Sequence, residues 1–419
     1  MYGFDAAFQQ ELKDKFCFAD VDPNGEKRLF FDNSGGSLRL KAAVEAKAEA
    51  EMLPDCPERT HRQAQALSAV VRDGTQEIIS CVFGAKSGAL ITELTASQTM
   101  FHMVEIIMEN VPGTNAVVSV LEHPSAFDAV AYHCRKLGKE LRVIPANPAT
   151  GAIEPEAAAA LVDENTCLLS VMAASNVTGA IMDIKSIVTM ARKKKPDLYV
   201  LSDAVQHAPH HALDVEDLQV DGMNIAPYKF FGVRGCGFAW VSDRVAQLPH
   251  RKLLEKEQTV FALGTPTPSN FAAMGAVIDY VCQIGAMTKE TDRKALYRAG
   301  MEQIHLQERA LLHRLLEGTE DLPGLRHIPG VQIFADELPL ERRDLIAAIG
   351  IAGMDVSDAV KEYEKRGVIV CDRSNRSMYA RRIVEALGTT GAIRVSPLHC
   401  HGTEDIDRFL EITGQLAQR

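Results

Sequence analysis

Residues 198–242 read LYVLSDAVQHAPHHALDVEDLQVDGMNIAPYKFFGVRGCGFAWVS and hold the pattern that decides the fold. One apolar run ends in Asp203, a second ends at Pro227 shortly before Lys229, and a glycine-rich turn leads into a third. Short apolar runs bounded by turn residues predict buried strands. Lys229 lies between a predicted buried strand and a glycine-rich turn, beside two phenylalanines. A solvated surface lysine does not need such surroundings. The stretch therefore predicts a sheet edge with a functional amine.

The same alternation extends back along the chain. From about residue 75 to 245, apolar runs such as GALITEL, AVVSVLEH, LRVIPAN and CLLSVMAAS alternate with amphipathic stretches. Continuous apolar strands that alternate with helices predict an α/β fold, with a mainly parallel sheet covered on both faces. Two long helices and several short strands follow, which predict a smaller α+β C-terminal domain. We expect a large domain over 31–284, a small domain over 285–419, and an N-terminal segment, 1–30, that packs with the small domain.

Composition excludes several classes of protein. The 419 residues carry a formal net charge of -11, which argues against a general binder of nucleic acid or membrane surfaces. No apolar run reaches membrane-spanning length, and the first residues lack the pattern of a secretory signal. The nine cysteines form no CxxC pair, and neither QHAPHH nor HCH has zinc-site spacing, so no metal is expected. A reduced, cytoplasmic setting fits this composition best.

Polar residues follow the predicted strands directly. In open α/β sheets, ligands bind outside the carboxyl ends of the strands, so these residues share one rim. They are Thr95 to Gln98, Glu122 with His123, Ser175 with Asn176, Asp203 with Gln206, and Lys229.

The chemistry that these groups share is specific. A helix that begins after Thr95 offers free N–H groups to an anion such as phosphate. A buried Asp203 needs a cationic partner, and a protonated pyridine nitrogen is suitable. Desolvation at Lys229 lowers the pKa of the amine and makes it nucleophilic. Phosphate cradle, aspartate and lysine together predict a pyridoxal 5'-phosphate site.

The chain also resembles the class V aminotransferase family, which includes the cysteine desulfurases. The resemblance rests on six segments in family order: residues 198–242, FFDNSGGS, LEHPSAFDAV, AASNVTGAIMDI, FALGTPTPSN and GAIRVSPLHCHGTEDIDRFLE. It covers nearly the whole chain. It implies the aspartate aminotransferase-like fold (pyridoxal phosphate fold type I), an amino acid substrate, and a homodimer with shared active sites.

The resemblance also implies roles around the cofactor ring. Lys229 is the residue that holds the cofactor covalently and shuttles protons. Asp203 pairs with the pyridine nitrogen, Gln206 binds the phenolic oxygen, and His123 stacks on the ring face.

A second set of matched positions is implied to bind phosphate and substrate. Ala96 and Ser97 hold the phosphate, and Thr265 reaches the phosphate of the neighbouring subunit. Asn176 contacts the cofactor and the substrate, and Arg394 forms a bidentate pair with the substrate carboxylate.

Two positions before the lysine depart from many relatives. Tyr228 stands where they have histidine, and Ala226 stands where they have serine. The Tyr-Lys pair is similar to that of kynureninases, in which the tyrosine serves the phosphate. We therefore expect Tyr228 to replace one phosphate contact, while the serine contact is lost.

The segment before Arg394 departs further. Desulfurases carry a nucleophilic cysteine on a loop there, whereas this chain has Arg376 or a neighbour at that place and Cys371 several residues earlier. Cys236 and Cys371 are expected to be buried thiols. The loop DRSNRSMYARR holds four arginines, and our hypothesis is that Arg373 or Arg376 binds a second acidic group of the substrate. The alternative is a solvated basic loop.

These departures shape the expected reaction. Without a loop cysteine, the sequence favours a lyase-type elimination or cleavage at the β or γ carbon of an amino acid. An aminotransferase or epimerase is the alternative among enzymes. Outside them, the alternative is a cofactor-binding assembly protein without turnover, against which Lys229, Asp203 and Arg394 argue.

Overall fold

The computed structural model describes residues 3–418, and helices and strands alternate through most of them. The helices are α1 (Ala6–Asp14), α2 (Lys41–Glu51), α3 (Arg62–Glu77), α4 (Ala96–Asn110), α5 (Pro124–Leu137), α6 (Pro155–Ala160), α7 (Ile184–Lys194), α8 (Val215–Leu218), α9 (Asp243–Ala246), α10 (Pro268–Gly285), α11 (Arg293–Glu317), α12 (Val356–Glu364), α13 (Arg381–Ala386) and α14 (Thr403–Ala417). The strands are β1 (Leu29–Phe30), β2 (Ala89–Glu93), β3 (Asn115–Ser119), β4 (Glu140–Ile144), β5 (Thr166–Ser170), β6 (Tyr199–Asp203), β7 (Gly222–Ile225), β8 (Gly237–Val241), β9 (Val331–Ile333), β10 (Ala347–Ile351), β11 (Val368–Ile369), β12 (Cys371–Ser374) and β13 (Gly391–Val395).

A seven-stranded sheet forms the centre of the molecule, in the order β2-β8-β7-β6-β5-β3-β4. Pairing is parallel from β7 to β4, and β8 runs antiparallel to both of its neighbours. Strands β3, β5, β7 and β8 are buried at every position, because helices cover both faces of the sheet. The predicted mainly parallel α/β fold is confirmed.

Two helices that border the rim begin at capping side chains. The Thr95 hydroxyl accepts a hydrogen bond from the Gln98 N–H at 3.2 Å and caps α4. His123 Nδ1 accepts one from the Ser125 N–H at 3.2 Å and caps α5, which has proline in its first turn. The caps therefore set the N-termini of both helices just past the carboxyl ends of β2 and β3.

A second sheet of four antiparallel strands, in the order β12-β13-β10-β9, has its own hydrophobic core with α11, α12 and α14. The N-terminal segment packs beside it, because β1 forms a separate two-stranded sheet with β11 and Lys13 binds Asp405 of α14 at 2.9 Å. The long helices predicted after residue 270 are α10 and α11, as expected. The sequence GVIVCD, residues 367–372, predicts one strand. In the structure it divides at Val370 into β11 and β12, which belong to different sheets. The domain boundaries at residues 30/31 and 284/285 stay a prediction, and residues 1, 2 and 419 lie outside the described chain.

No helix between residues 3 and 418 combines the length and the apolar character that crossing a membrane requires.

Candidate active site

Most of the predicted rim residues come together around one cavity of about 220 Å³ at the carboxyl ends of the large sheet, whereas Gln98, Glu122 and Ser175 do not line it. Its lining includes nearly every position that the sequence assigned to cofactor binding: Ala96, Ser97, His123, Asn176, Asp203, Gln206, Tyr228 and Lys229. Five separate strand-to-helix or strand-to-turn connections supply them. The structure therefore brings these predicted cofactor-binding residues to one cavity.

Lys229 ends a short 3-10 turn, Pro227–Lys229, that follows β7 directly. Its side chain is buried, and the backbone N–H of Lys229 donates to the Ala226 carbonyl at 2.9 Å. Burial, reinforced by the nearby Arg394 guanidinium and only partly opposed by Asp203, lowers the pKa of Lys229 to about 7. A substantial fraction of this amine is uncharged at neutral pH, which makes it a nucleophile.

Asp203 is the last residue of β6 and is buried. Its Oδ1 accepts a hydrogen bond from the Val205 N–H at 3.0 Å, and burial raises the pKa of the carboxyl. A cation in the cavity would offset that cost, as a protonated ring nitrogen would. Gln206 lines the same wall, and its Oε1 is one of the buried polar atoms within residues 3–418 that lack a hydrogen-bond partner.

The N-terminus of α4 forms the opposite end of the cavity. Asn224 Nδ2 donates to the Ala96 carbonyl at 3.1 Å and ties this turn to β7. The N–H groups of Ala96 and Ser97 lie in the first turn of the helix, where they favour an anion. Strand β8 passes close behind, and a Cβ at Gly237 would overlap the Ala96 backbone nitrogen.

We expect Gly237→Ala to displace the start of α4. Overpacking against backbone costs about 1–3 kcal/mol of unfolding free energy, and affinity for phosphate-bearing ligands should fall with it. Thermal unfolding and ligand titration measure both effects. Gly275→Ala is the matched control, since nothing lies within 4 Å of the added Cβ there. Equal stability of the two variants would contradict the close approach.

His123 sits at the mouth of the cavity, with its ring stacked on Tyr379 at a centroid distance of 6.2 Å. Burial, together with the positive charges of Lys229 and Arg373, lowers the pKa of His123 to about 3. The imidazole is therefore neutral at physiological pH. A neutral flat ring suits the predicted stacking role.

Arg394 is buried on β13 and is held by two partners. Nη2 donates to Asp32 Oδ1 at 2.6 Å, and Nη1 donates to the Asn176 carbonyl at 3.0 Å. Its Nε is buried and has no hydrogen-bond partner within residues 3–418. Arg394 does not line the 220 Å³ cavity, so its predicted contact with the substrate carboxylate stays a prediction.

Cys371 lies directly opposite Arg394 in the β12–β13 pair. The side chain is half-buried, so the expectation of a buried thiol holds for Cys236 but not fully for Cys371. Burial raises the pKa of the Cys371 thiol, which disfavours the reactive thiolate.

The structure separates the two arginines that the sequence left as alternatives. Arg373 lies two residues after Cys371 on β12, and its Nη2 donates to the Tyr379 carbonyl at 3.0 Å. Tyr379 in turn stacks on His123, so Arg373 lies on the active-site side, although it does not line the 220 Å³ cavity. Its charge lowers the pKa values of both Lys229 and His123. Arg376 is exposed and binds Asp355 at 2.7 Å. The prediction of Arg376 as a substrate ligand is therefore not matched, because the turn after β12 carries it away from the cavity.

Thr265 and Arg234 differ in their relation to the cavity. Thr265 is exposed and does not line it, so its predicted reach to a neighbouring subunit stays a prediction. Arg234 lines the cavity beside Tyr228, with its guanidinium 4.3 Å from the centroid of the Tyr228 ring. Sequence reasoning missed Arg234. The available signal was a cation in the glycine-rich turn that follows Lys229.

The residues present fit pyridoxal phosphate. The helix N-terminus and Arg234 would hold the phosphate, Asp203 would pair with the ring nitrogen, and the low-pKa Lys229 would bind the aldehyde carbon. The buried side-chain amides of Gln206 and Asn176 each keep one end without a hydrogen-bond partner among the described residues, and a ligand would satisfy these ends. Among residues 3–418, no group of three or more His, Cys, Asp or Glu side chains is arranged to hold a metal ion.

Comparison with known proteins supports the same conclusion. Residues 29–409 match the family described as Aminotransferase class-V. The cysteine desulfurase of Cronobacter sakazakii is 25% identical, with 96% of each chain covered. The apo structure of cysteine desulfurase from Thermococcus onnurineus NA1 superposes with a TM-score of 0.81 at 20% identity, with 100% of each chain covered. The cysteine desulfurase CsdA from Escherichia coli gives 0.78 at 19% identity, over 100% of this chain and 99% of that one.

A family match over nearly the whole chain, on a fold and a cavity that suit the family's cofactor, leads to one conclusion: the chain belongs to the class V aminotransferase family, and its cofactor is pyridoxal 5'-phosphate.

Proposed function

We propose that this protein, a pyridoxal phosphate enzyme that acts on an amino acid, is a lyase that breaks a bond at the β or γ carbon of its substrate. The observation that carries the proposal is Arg373 on the active-site side of β12, in a segment where the sequence predicts Arg376 or a neighbour at the place of the desulfurase loop cysteine. A fixed guanidinium at the end of the substrate side chain stabilises a departing anion.

The chain's own groups would divide the work as follows. Bound pyridoxal phosphate supplies an electron sink for the bond that breaks. The Nζ of Lys229 takes the proton from the substrate α carbon, since its lowered pKa allows it to act as a base near pH 7. Asp203 keeps the ring nitrogen protonated, and the neutral His123 covers the ring.

Substrate orientation would rest on Arg394 and Asn176. Asp32 already occupies one edge of the Arg394 guanidinium, which fixes its plane. The guanidinium held in this way would bind the substrate carboxylate. Arg373 receives a second acidic group at the far end of the same substrate.

The assembly and setting are also proposals. Thr265 lies in an exposed segment at the surface, where it suits a contact with the phosphate of a second subunit in a homodimer. The nine free cysteines suit a reducing, cytoplasmic setting.

Product analysis tests the proposed reaction. The purified protein, loaded with cofactor, is incubated with a panel of amino acids that includes acidic ones and their β-substituted analogues. Release of a fragment from the β or γ carbon supports a lyase. A keto acid formed with transfer of the amino group would show an aminotransferase instead of a lyase. Inversion at the α carbon would show an epimerase. A visible spectrum that responds to no amine would favour a protein without turnover.

Removal of sulfur from cysteine is the second candidate. It is favoured by Cys371, which lies half-buried opposite Arg394, and by the cysteine desulfurases among the relatives. Cys371→Ala decides whether this thiol carries the sulfur. Sulfide release that survives the substitution excludes Cys371 as the carrier.

Arg373→Gln should raise the KM for an acidic substrate by about 10- to 100-fold, because a charge-assisted hydrogen bond to the substrate is lost. Steady-state kinetics with an acidic and a neutral amino acid measure the change. Arg376→Gln is the matched control, since this exposed arginine binds Asp355 and should leave KM unchanged. An equal effect on both substrates would sink the assignment.

Arg234→Gln should weaken cofactor binding by about tenfold, through loss of a cation at the phosphate end of the cavity. Fluorescence titration of the cofactor-free protein with pyridoxal phosphate measures this, and pyridoxal without phosphate should show no difference between the proteins. Arg72→Gln, on the exposed face of α3, is the control. A loss of affinity for both ligands would point to a fold defect.

A further inference from the structure

A buried polar chain leads away from the cofactor cavity behind Gln206. His210 lies four residues after Gln206 in the turn that follows β6, and its Nε2 is 3.4 Å from the Gln206 side-chain amide nitrogen. On the other side of the ring, Nδ1 donates to Glu308 Oε2 at 2.8 Å. Gln206, His210 and Glu308 are 4%, 2% and 2% exposed, so water does not substitute for these contacts.

Glu308 belongs to α11 and is held in place from two directions. Its Oε2 binds His210, and its Oε1 accepts a hydrogen bond from the His399 backbone N–H at 3.1 Å. A buried carboxylate is stable only when it is paired with a cation or with donors. The groups that face His210 are Glu308, the more distant Asp344, the ring of His399, and Gln206.

The charge on His210 follows from these neighbours. Burial opposes the charged ring, but the carboxylates of Glu308 and Asp344 outweigh it and raise the pKa of His210 to about 9. His399 is neutral, since burial and the charge of His210 lower its pKa to about 3. At neutral pH, both ring nitrogens of His210 therefore carry a proton.

A protonated Nε2 decides how the Gln206 amide must lie. The two ends of an amide have the same shape, so hydrogen-bond partners determine which end faces which group. An N–H of His210 requires an acceptor, so Oε1 of Gln206 must turn towards it. The NH₂ group then faces the cavity as a donor.

We propose that His210, charged and oriented by Glu308, is a positioning residue that fixes the Gln206 amide with its NH₂ group towards the phenolic oxygen of the cofactor. If His210 were neutral, its Nε2 would accept from the amide, and Gln206 would present Oε1 to that oxygen instead. His210 and Glu308 thus determine whether the Gln206 side chain presents its NH₂ group or its carbonyl oxygen to the cofactor ring. The inference rests on the family's cofactor and not on the reaction proposed above.

The first test uses the cofactor-free protein and needs no substitution. Nitrogen-15 NMR of ring-labelled histidine reports whether both nitrogens of His210 are protonated at pH 7, with His210→Asn used to assign the signal. We expect a doubly protonated ring in the wild type and a singly protonated ring in Glu308→Gln. A neutral His210 in the wild type at pH 7 would overturn the proposal.

The second test follows the loaded protein by its visible absorption. The nitrogen that links Lys229 to the cofactor loses its proton at a midpoint pH, which rises when the phenolic oxygen loses a donor. Glu308→Gln should raise this midpoint by about one pH unit. Glu302→Gln, the same change at an exposed position of α11, should not.

A double-mutant cycle separates positioning from general damage. In a Gln206→Leu background the amide is gone, so Glu308→Gln should cause no further shift of the midpoint. A shift of equal size in both backgrounds would show that Glu308 acts on the cofactor without Gln206, and would refute the chain of contacts. Circular dichroism checks that each variant is folded.

Discussion

Lys229→Ala should abolish covalent attachment of the cofactor and reduce turnover by about 10³-fold or more, because the nucleophile and the proton shuttle are lost together. The fold should survive, since much of this buried amine is uncharged at neutral pH and Asp203 keeps its hydrogen bond from the Val205 N–H. Reduction with borohydride followed by mass spectrometry should label the wild type at Lys229 and fail to label the variant. Lys185→Ala is the control, because this exposed lysine pairs with Asp217 at the surface.

The low pKa of Lys229 gives this prediction a pH dependence. Only the uncharged amine attacks the aldehyde of the cofactor, so the rate of cofactor capture should rise through pH 7. An ordinary lysine would show the rise near pH 10. Stopped-flow absorbance of the cofactor-free protein between pH 5.5 and about 9 measures the midpoint. A rate that still climbs steeply at pH 9 would contradict a buried, low-pKa amine.

Asp203→Asn should have the second largest effect, with turnover lower by about 10³-fold, or roughly 4 kcal/mol of transition-state stabilisation. A neutral amide does not hold the ring nitrogen in its protonated form. Without that charge, electrons from the broken bond delocalise less readily into the ring. Steady-state kinetics measure the loss, and Asp321→Asn at an exposed position is the control.

The same substitution should stabilise the cofactor-free protein. Burial makes the pKa of Asp203 higher in the folded state than the unfolded value of about 3.9. The folded state then binds the proton more tightly, so this group reduces stability as the pH rises above the unfolded value. The amide introduced by Asp203→Asn carries no charge, and the melting temperature of the cofactor-free variant at pH 7 should exceed that of the wild type. A lower melting temperature would mean that the Asp203 carboxylate is paired even without cofactor.

The residues at the rim of the large sheet were predictable because each signal for them lies within a short stretch of sequence. An apolar run that stops at Asp203 or shortly before Lys229 marks a strand end, and parallel strands bring their ends together. The helix start at Thr95 follows from capping chemistry in the same way.

The choice between Arg373 and Arg376 was not local. It depends on the register of β12 against β13, in which Cys371 faces Arg394. Only that register brings Arg373 to the active-site side and leaves Arg376 to the surface turn. The histidines of QHAPHH posed the same difficulty, because the partner of His210 is Glu308, which lies far along the chain on α11. Long-range pairs of this kind leave no pattern in a single sequence.

The reversed direction of β8 has a consequence for how the molecule is made. Strand β2 enters the large sheet only by pairing with β8, although β8 is synthesised much later. Until residue 241 has left the ribosome, β2 has no strand to pair with in this sheet. Pairings between such distant segments form slowly. A nascent chain can therefore assemble β3, β5, β6 and β7 first. We expect it to retain a phosphate-bearing ligand only after β8 has added β2 to the sheet.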